Sequence, residues 1–280
     1  MTIAVVYLAR GEGNGIVAAR QFFTSYKERS AGADHNFYVI CKGWTDDNEE
    51  TELRNLAKAC DAVILDQADD GFDWGAYFRA AKSISENYVI FLNSHSKIVG
   101  DNWLGKLVFG ISQKSIGIVG VTGSFSSWVD WTACPPFSFW SGLVYPLRLL
   151  RNIGNCLAYR GKYDPFPNIH LRSNAFIIRT DLFQEFAHRR FIPRKKSDAH
   201  ELESGIVGLS NFIRSKNLDI YICDILGRLL PPQQWTLGQF FRAGSQKNLL
   251  IEDNQTNAYR DANIAKKHFL EYKSWHEIFR

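Results

Sequence analysis

The sequence predicts an α/β protein whose central sheet is mostly parallel and flanked by helices. The first 122 residues alternate short, continuously apolar segments with segments of helical periodicity. Continuous apolar runs are typical of strands that are buried on both faces, as parallel strands are. The 280 residues, 45% of them hydrophobic and 22% charged, suffice for one large domain with a sizeable core.

The elements of the first half follow one another in regular order. Apolar runs predict strands at 2–9, 37–43, 62–66, 88–92 and 115–123. Apolar residues at helical spacing predict intervening helices at 15–29, 46–59, 74–84 and 102–111. Ligands of parallel sheets bind beyond the carboxyl ends of the strands, so the residues that follow these strands are the first candidates for a site.

A long irregular excursion interrupts the second half at 123–167, where aromatic residues, Gly, Ser and Pro accumulate. Such a length favours a functional lid over a linker. Within it, the aromatic stretch 137–153 predicts a cover over an apolar pocket, because Pro146 breaks its helical pattern. Peripheral contact with a membrane surface is the alternative. No segment has the roughly 20 uninterrupted apolar residues of a membrane-spanning helix.

The remaining elements are less clearly marked. The pattern predicts a strand at 170–179, a helix from Asp181 capped by Thr180, a helix at 201–216 with Glu203 near its start, a strand at 219–228, and a tail at 231–280 that ends in a helix from about Ala258.

Charge and cysteine content exclude several classes of protein. The 33 basic and 29 acidic residues give a net charge of only +4, without a long basic run, which does not indicate a nucleic-acid partner. The five cysteines are scattered and form no CxxC pair, which argues against a disulfide framework and against a zinc site. The apolar N-terminus predicts a first strand rather than a leader. We therefore expect reduced thiols and a cytoplasmic protein.

A glycine-rich loop, Arg10 to Gly15, follows the first strand. It does not match the dinucleotide fingerprint G-x-G-x-x-G, because Ile16 stands where the third glycine belongs. A loop of this kind before a helix N-terminus still suits a phosphate group. The sequence contains neither the P-loop lysine pattern nor the G-x-S-x-G motif of serine hydrolases.

Polar residues also follow the third and fourth strands. Asp66 ends the third strand, and Asp73 lies at the predicted start of the next helix, as an N-cap or as a ligand contact. The fourth strand, YVIFL, ends in Asn93, Ser94 and His95. This strand tip is either a hydrogen-bonded polar turn or part of a site.

Five segments resemble known enzymes. FLNSHSKIVGDNWLGKL (91–107) resembles the region of family-two, A-type-fold nucleotide-sugar glycosyltransferases in which FLDDD…WL is usual. Four others resemble further parts of these enzymes in the right order: GFDWGAYFRAAK (71–82), HLRSNAFIIRTDLF (170–183), ELESGIVGLSNFIRSKNLDIY (201–221) and FRAGSQKNLLIEDNQTNAY (241–259), the last typical of a bacterial subgroup.

The resemblance implies one domain of the A-type glycosyltransferase (GT-A) fold, with a nucleotide-sugar-binding half at 1–122 and an acceptor-binding half at 123–280. It implies transfer of a sugar, with inversion, from a nucleoside diphosphate sugar to a hydroxyl of a glycan or lipid-linked glycan. Polysaccharide biosynthesis at a bacterial cell envelope would place the enzyme in the cytoplasm or at the inner face of the membrane.

In the family, aspartates at the strand tip hold a divalent metal against the donor diphosphate. Asn93, Ser94 and His95 stand at those positions, and neutral Asn and Ser are weak ligands for Mn²⁺ or Mg²⁺. His95 would either ligate the metal alone or donate a hydrogen bond to the diphosphate without it. The donor site implied by the resemblance also contains these residues: Asp66, Asp73, Asn174 and the phosphate-binding candidates Arg10, Arg172 and Arg242.

The family's general base falls on Glu203, which would take the proton of the attacking hydroxyl. Glu201 and Asp198 are the alternative bases. A purely structural explanation is also open, because the helix dipole stabilises an acidic residue in a first helical turn without any catalytic role. Trp235 is a candidate for stacking on the acceptor, with core packing as the equal alternative.

Two rival functions remain open. The first is a non-catalytic protein of the same fold that binds nucleotide sugar or glycan, which the missing aspartates favour. The second is a nucleotidyltransferase, although the glycine-rich, lysine-containing start usual for that class is absent from the sequence.

Overall fold

The computed structural model of the protein describes residues 1–130, 150, 153–154 and 156–279. Its strands are β1 (Ile3–Arg10), β2 (Asn36–Lys42), β3 (Val63–Asp66), β4 (Tyr88–Leu92), β5 (Lys97–Ile98), β6 (Ile116–Gly120), β7 (Gly123–Ser124), β8 (His170–Leu171), β9 (Ala175–Arg179), β10 (Asp219–Cys223), β11 (Leu229–Leu230) and β12 (Ile251–Glu252).

The helices are α1 (Gly15–Glu28), α2 (Asp47–Lys58), α3 (Phe72–Ala81), α4 (Trp103–Ile111), α5 (Thr180–His188), α6 (Lys196–Ser204), α7 (Leu209–Ser215), α8 (Asn254–Arg260) and α9 (Ile264–Trp275), with a 3₁₀ helix at Pro232–Leu237.

The central sheet has eight strands in the order β11-β10-β6-β9-β4-β1-β2-β3. β9 is antiparallel to β4 and β6, and β11 is antiparallel to β10, whereas the other pairs are parallel. The predicted fold class, a mostly parallel sheet flanked by helices, is therefore confirmed. Strands from before and after residue 122 interleave in this one sheet.

Two apolar layers cover the sheet. Ala4, Val6 and Leu8 of β1 face a cluster that includes residues of α3 and α5. Ile3, Val5 and Tyr7 face the opposite cluster, which includes residues of α1 and α4. Because successive side chains of a strand point to opposite faces, a strand buried on both sides needs a continuous apolar run. This is the physical reason for the pattern read at 2–9.

The helix predicted at 201–216 is wrong as one element. The chain forms α6 and α7 instead, with Gly205 and Gly208 in extended conformation between them. Gly205 accordingly ends α6 rather than continuing it. Glu203 therefore lies in the last turn of α6 rather than in a first turn, so the helix dipole does not stabilise its carboxylate.

Other predicted boundaries also change. Thr180 is the first residue of α5 rather than its cap, because the N-cap position belongs to Arg179 in extended conformation. The strand predicted at 170–179 divides into β8 and β9, which belong to different sheets. The strand predicted at 219–228 ends at Cys223, because the carboxylate of Asp224 accepts from the backbone N–H groups of Leu226 and Arg228 and closes a turn.

The helix predicted from about Ala258 is two helices, α8 and α9. About half of the predicted excursion, including nearly all of 137–153, lies outside the described residues, as does Cys134. Among the described residues, the cysteines at 41, 60, 156 and 223 form no disulfide. In the described part of the chain, no helix has the length and apolar character to cross a membrane.

Candidate active site

A cleft of about 780 Å³ opens at the carboxyl ends of β1 and β4. Its walls come from several separate parts of the chain: 10–18, Asp73, 93–95, 124–128, 170–174, 196–204, 241–242, 254–255 and Lys273. Of the predicted site residues, the cleft brings together Arg10, Asp73, Asn93, Ser94, His95, Arg172, Asn174, Glu203 and Arg242.

The strand tip is organised as a turn. The side-chain oxygen of Asn93 accepts from the backbone N–H of His95 at 3.2 Å and from the hydroxyl of Ser96 at 3.1 Å. The carbonyl of Ser94 accepts from the hydroxyl of Tyr7 at 2.9 Å. Asn93 thus supports the turn, whereas the exposed ring of His95 borders the cleft.

Glu203 is anchored by the turn between β8 and β9. One carboxylate oxygen accepts from the backbone N–H of Ser173 at 2.7 Å and from its hydroxyl at 2.5 Å. Burial favours the neutral acid, but the charges of Arg172, His170 and His200 and the Ser173 bond outweigh it and hold the pKa of Glu203 below its ordinary value. Glu203 is consequently ionised at neutral pH and able to accept a proton.

Asp73 is the second carboxylate of the cleft. It is not the N-cap of α3, since that position belongs to Gly71 in left-handed conformation, so the predicted capping role is wrong. Burial raises the pKa of Asp73, and the negative charge of Glu203 adds to this, while Lys42, Arg10 and His95 oppose it. The two carboxylates therefore interact with each other, and their pKa values move in opposite directions.

The three predicted arginines occupy different surroundings. Arg10 donates to both carboxylate oxygens of Asp69, at 2.9 and 3.1 Å. Arg172 forms an ion pair with the buried Asp253 at 2.8 Å. Arg242 donates to the neutral side chain of Gln255 at 2.8 Å and forms no ion pair with any described residue.

Asp66 and Trp235 do not border the cleft. Asp66 is exposed and forms an ion pair with Arg54 at 2.5 Å. Trp235 is fully buried, and its ring N–H donates to the Leu230 carbonyl at 2.9 Å, so it packs in the core and cannot stack on an acceptor.

Asn174 lies at the floor of the cleft. Its side-chain oxygen accepts from the hydroxyl of Thr122, and its side-chain nitrogen is buried without a partner among the described residues. A buried amide without a partner costs free energy, which a bound ligand that accepts from it would recover.

The alternative bases have structural roles. Asp198, in the first turn of α6, accepts at 3.0 and 3.1 Å from the backbone N–H groups of Arg194 and Lys195, which precede the helix. Glu201 forms an ion pair with Lys162 at 3.0 Å. Neither of them borders the cleft.

Sequence reasoning missed several cleft residues, among them Trp128, His170, Lys196 and His200. Trp128 stacks on Tyr163, with ring centroids 5.7 Å apart, and packs against the ring of His200 at 5.1 Å. Trp128, unlike Trp235, borders the cleft. It stands in an irregular segment, where no periodicity distinguishes a site residue from a packing residue.

The cleft residues do not fit a divalent metal held by carboxylates. Within the described chain, the one group of three metal-ligating side chains is formed by Cys41, Glu50 and Asp66, away from the cleft. Arg54 occupies that group, since it donates to both carboxylates and to the Cys41 sulfur. At the strand tip, the oxygen of Asn93 is already used by the turn.

Three solved structures illustrate what the chain is similar to. A mannosyltransferase from Pyrobaculum calidifontis, in complex with GDP-Man and Mn²⁺, is 10% identical with a TM-score of 0.43 and matches over 65% of this chain and 46% of that one. The glucosyl-3-phosphoglycerate synthase of Mycobacterium tuberculosis, with Mn²⁺, UDP and phosphoglyceric acid, is 17% identical with a TM-score of 0.36, over 65% and 56%. S. aureus TarS is 11% identical with a TM-score of 0.42, over 73% and 54%.

The chain spans about half the length of these matching structures. They belong to the class that the sequence resemblance names, the A-type nucleotide-sugar glycosyltransferases. No protein-family model and no curated protein matches the sequence. Similarity at these low identities and TM-scores carries no information about the activity, which depends on the residues of the cleft.

Proposed function

We propose that the protein is a glycosyltransferase that moves a sugar from a nucleoside diphosphate sugar to a hydroxyl group with inversion. The observation that carries the proposal is the ionised, anchored carboxylate of Glu203 inside a cleft at the ends of the parallel strands. In such a transfer, the hydroxyl oxygen bonds to the anomeric carbon as the nucleoside diphosphate leaves with the bond electrons. The base takes the hydroxyl proton.

Glu203 suits the role of base on two grounds. Both hydrogen bonds from Ser173 go to one carboxylate oxygen, which leaves the other without a hydrogen bond to any described residue. Its pKa is lowered, so the carboxylate is in the accepting form over the neutral pH range. A lowered pKa makes a weaker base, and the carboxylate accordingly takes the proton as the bond to the sugar forms rather than beforehand.

The donor phosphates fit the end of the cleft beside Asp73. Gly13 and Gly15 border this end, and α1 begins there with Asn14 as an N-cap that makes no side-chain bond. No acidic residue stands in the first turn of α1, so its N-terminal amides favour an anion. Arg10 and the ring of His95 border the same space, where Arg10 carries a positive charge and both side chains offer hydrogen-bond donors.

The acceptor fits the end beside Glu203. Trp128 offers an aromatic surface on which a sugar ring packs, and Ser124 and Ser126 line the same part of the cleft with hydroxyl groups. A glycan or a lipid-linked glycan would present its hydroxyl there to the free oxygen of Glu203. The metal-ligand set is absent from the described cleft, so the proposal includes no metal-dependent step. The amides at the start of α1, Arg10 and the ring of His95 would instead donate hydrogen bonds to the diphosphate.

Thermal unfolding against UDP, GDP, dTDP and CMP sugars, each with and without Mn²⁺, tests the donor site. We expect one nucleotide to raise the unfolding midpoint by several degrees, with little dependence on Mn²⁺. A midpoint that no nucleotide changes, at concentrations well above a plausible Kd, would contradict the proposal.

Glu203→Gln tests the base. The glutamine carbonyl can accept both Ser173 bonds, so we expect unchanged nucleotide binding but transfer reduced by roughly two orders of magnitude or more. The matched control is Glu201→Gln, which lies outside the cleft and should keep the wild-type rate. A near wild-type rate for Glu203→Gln would place the base elsewhere.

A non-catalytic nucleotide-sugar binder is the second candidate. The observation that favours it is the strand tip, where Asn93 is engaged in a turn and no carboxylate stands. Such a protein would show the same nucleotide-dependent stabilisation but no release of free nucleoside diphosphate with any acceptor.

A further inference from the structure

Positive charge is distributed unevenly between the two ends of the cleft. Near Glu203, four basic side chains border it among the described residues: Arg172, Lys196, Arg242 and Lys273. Burial lowers the pKa of His200, and the nearby charges of Lys196, Lys273 and Arg172 lower it further, against the charge of Glu203. The carboxylates at this end are Glu203 and Asp253, the latter paired with Arg172. Of the described residues that border the cleft at this end, four are therefore basic and one, Glu203, carries a carboxylate.

Two of these cations lie against the same aromatic ring. The guanidinium carbons of Arg172 and Arg242 are 4.3 and 4.8 Å from the centroid of Phe241. Burial lowers the pKa of Arg242 to about 10, and the neighbouring charge of Arg172 contributes to this. Two like charges held together and partly removed from water are costly unless an anion joins them.

The hydrogen-bond partners of Arg242 carry no charge, although the carboxylates of Asp253 and Glu203 lie near enough to act on its pKa. Its Nη2 donates to Gln255 at 2.8 Å and its Nη1 to the hydroxyl of Ser274 at 3.5 Å, and both acceptors are neutral. Its Nε is buried without a hydrogen-bond partner among the described residues. A guanidinium group with free donors that borders a cleft matches the geometry of a phosphate or carboxylate group.

The opposite end of the cleft lacks this excess. There Arg10 is bound by Asp69 and Glu12, and Lys42 is buried against Asp69. Of the described residues that border the cleft at this end, Glu12 and Asp73 are acidic and Arg10 is basic. An anion that does not belong to the donor therefore has its most favourable position beside Glu203.

Resting on the proposed function, we propose that the acceptor carries an anionic group, a phosphate or a carboxylate, which the Arg172–Arg242 pair binds while an acceptor hydroxyl faces Glu203. The pair selects charged acceptors over neutral ones of the same shape. It also orients the acceptor, because a guanidinium fork fixes the direction of the group it binds.

Inorganic phosphate is the probe. We expect phosphate to stabilise the wild-type protein against thermal unfolding, relative to sodium chloride of equal ionic strength, and to do so equally when the protein is saturated with nucleoside diphosphate. Arg242→Gln should weaken phosphate binding at least tenfold, whereas Arg10→Gln should leave it within about twofold. Arg242→Lys, which keeps the charge but not the fork, should fall between them and serves if the glutamine variant does not fold.

Three results would overturn the inference: no effect of phosphate on the wild type, loss of the effect on saturation with nucleoside diphosphate, or loss in Arg10→Gln rather than in the Arg242 variants. The second result would show that the pair binds the donor phosphates. A failure of the proposed function would be recognised separately, because no nucleotide would then shift the unfolding midpoint. The phosphate titration without nucleotide does not depend on that result.

Discussion

Lys42→Met should destabilise the first turn of α3, which positions Asp73. Lys42 is 2% exposed, and its ammonium group donates to the carbonyls of Asp70 and Phe72 at 2.9 and 3.1 Å. It also forms an ion pair with Asp69 at 3.3 Å. Each lost bond from a charged donor costs about 1.5–3 kcal/mol. The methionine side chain recovers about 1–2 kcal/mol through its buried apolar surface, so we expect a net loss of about 3 kcal/mol.

The local backbone explains why Asp73 should be affected. Gly71 and Phe72 have φ of +69° and +54°. This conformation costs a non-glycine residue about 1–2 kcal/mol and has to be held by its surroundings. When the Lys42 bond to the Phe72 carbonyl is lost, the first turn of α3 should relax, and nucleotide binding should weaken along with stability.

Urea unfolding at neutral pH measures the loss of stability, and the shift of the unfolding midpoint by nucleotide measures the effect on the cleft. The matched control is Lys114→Met, an exposed lysine in the turn before β6, which should stay within about 0.5 kcal/mol of the wild type. A Lys42→Met protein as stable as this control, with an unchanged nucleotide response, would refute the reasoning.

Three further substitutions probe the cleft. Ser173→Ala removes one hydrogen bond that lowers the pKa of Glu203, so the acidic limb of the pH profile of kcat/KM should move to higher pH; an unmoved limb would exclude Glu203 as its source. Asp73→Asn removes a carboxylate whose pKa is raised by burial, so its ionisation lowers the stability of the folded protein at pH values above its pKa in the unfolded chain. Urea unfolding should therefore show a more stable protein near pH 7 and no gain near pH 3. Gly15→Ala places a Cβ 2.3 Å from the Arg10 carbonyl, so it should lower the free energy of unfolding in urea by about 1–3 kcal/mol and weaken nucleotide binding. In the control Gly13→Ala, the new Cβ meets no atom within 4 Å, and the loss should be about 1 kcal/mol because of the φ of +70°.

The fold class was predictable because strands buried on both faces leave a continuous apolar run, as in β1 and β4. Helix boundaries depend on local contacts that a periodicity does not record. Gly205 and Gly208 divide the helix predicted at 201–216, and a single-sequence pattern does not separate them from glycines that a helix tolerates.

The candidate site was partly predictable for a similar reason. Asn93, Ser94 and His95 follow a strand whose end was recognisable, so the topology alone brings them to the cleft. Trp128 and Trp235 have no such marker, and only the packing shows that the first borders the cleft and the second lies in the core. Asp66 also ends a strand, but β3 is the edge strand of the sheet, and Arg54 draws the carboxylate away.

The antiparallel strand β9 lies between β4 and β6, and the backbone N–H of Asn93 donates to the carbonyl of Asn174 at 2.9 Å. The strand tip that begins with Asn93 and the turn that anchors Glu203 are thus neighbours in one hydrogen-bonded ladder. Their separation is set by the register of a sheet, which a hinge motion between the two halves of the chain could not change without breaking that sheet. For the proposed transfer, substrate-dependent closure would therefore have to come from segments beside the cleft, such as 124–128 and 196–204, while the strand tip and the Glu203 turn keep their separation.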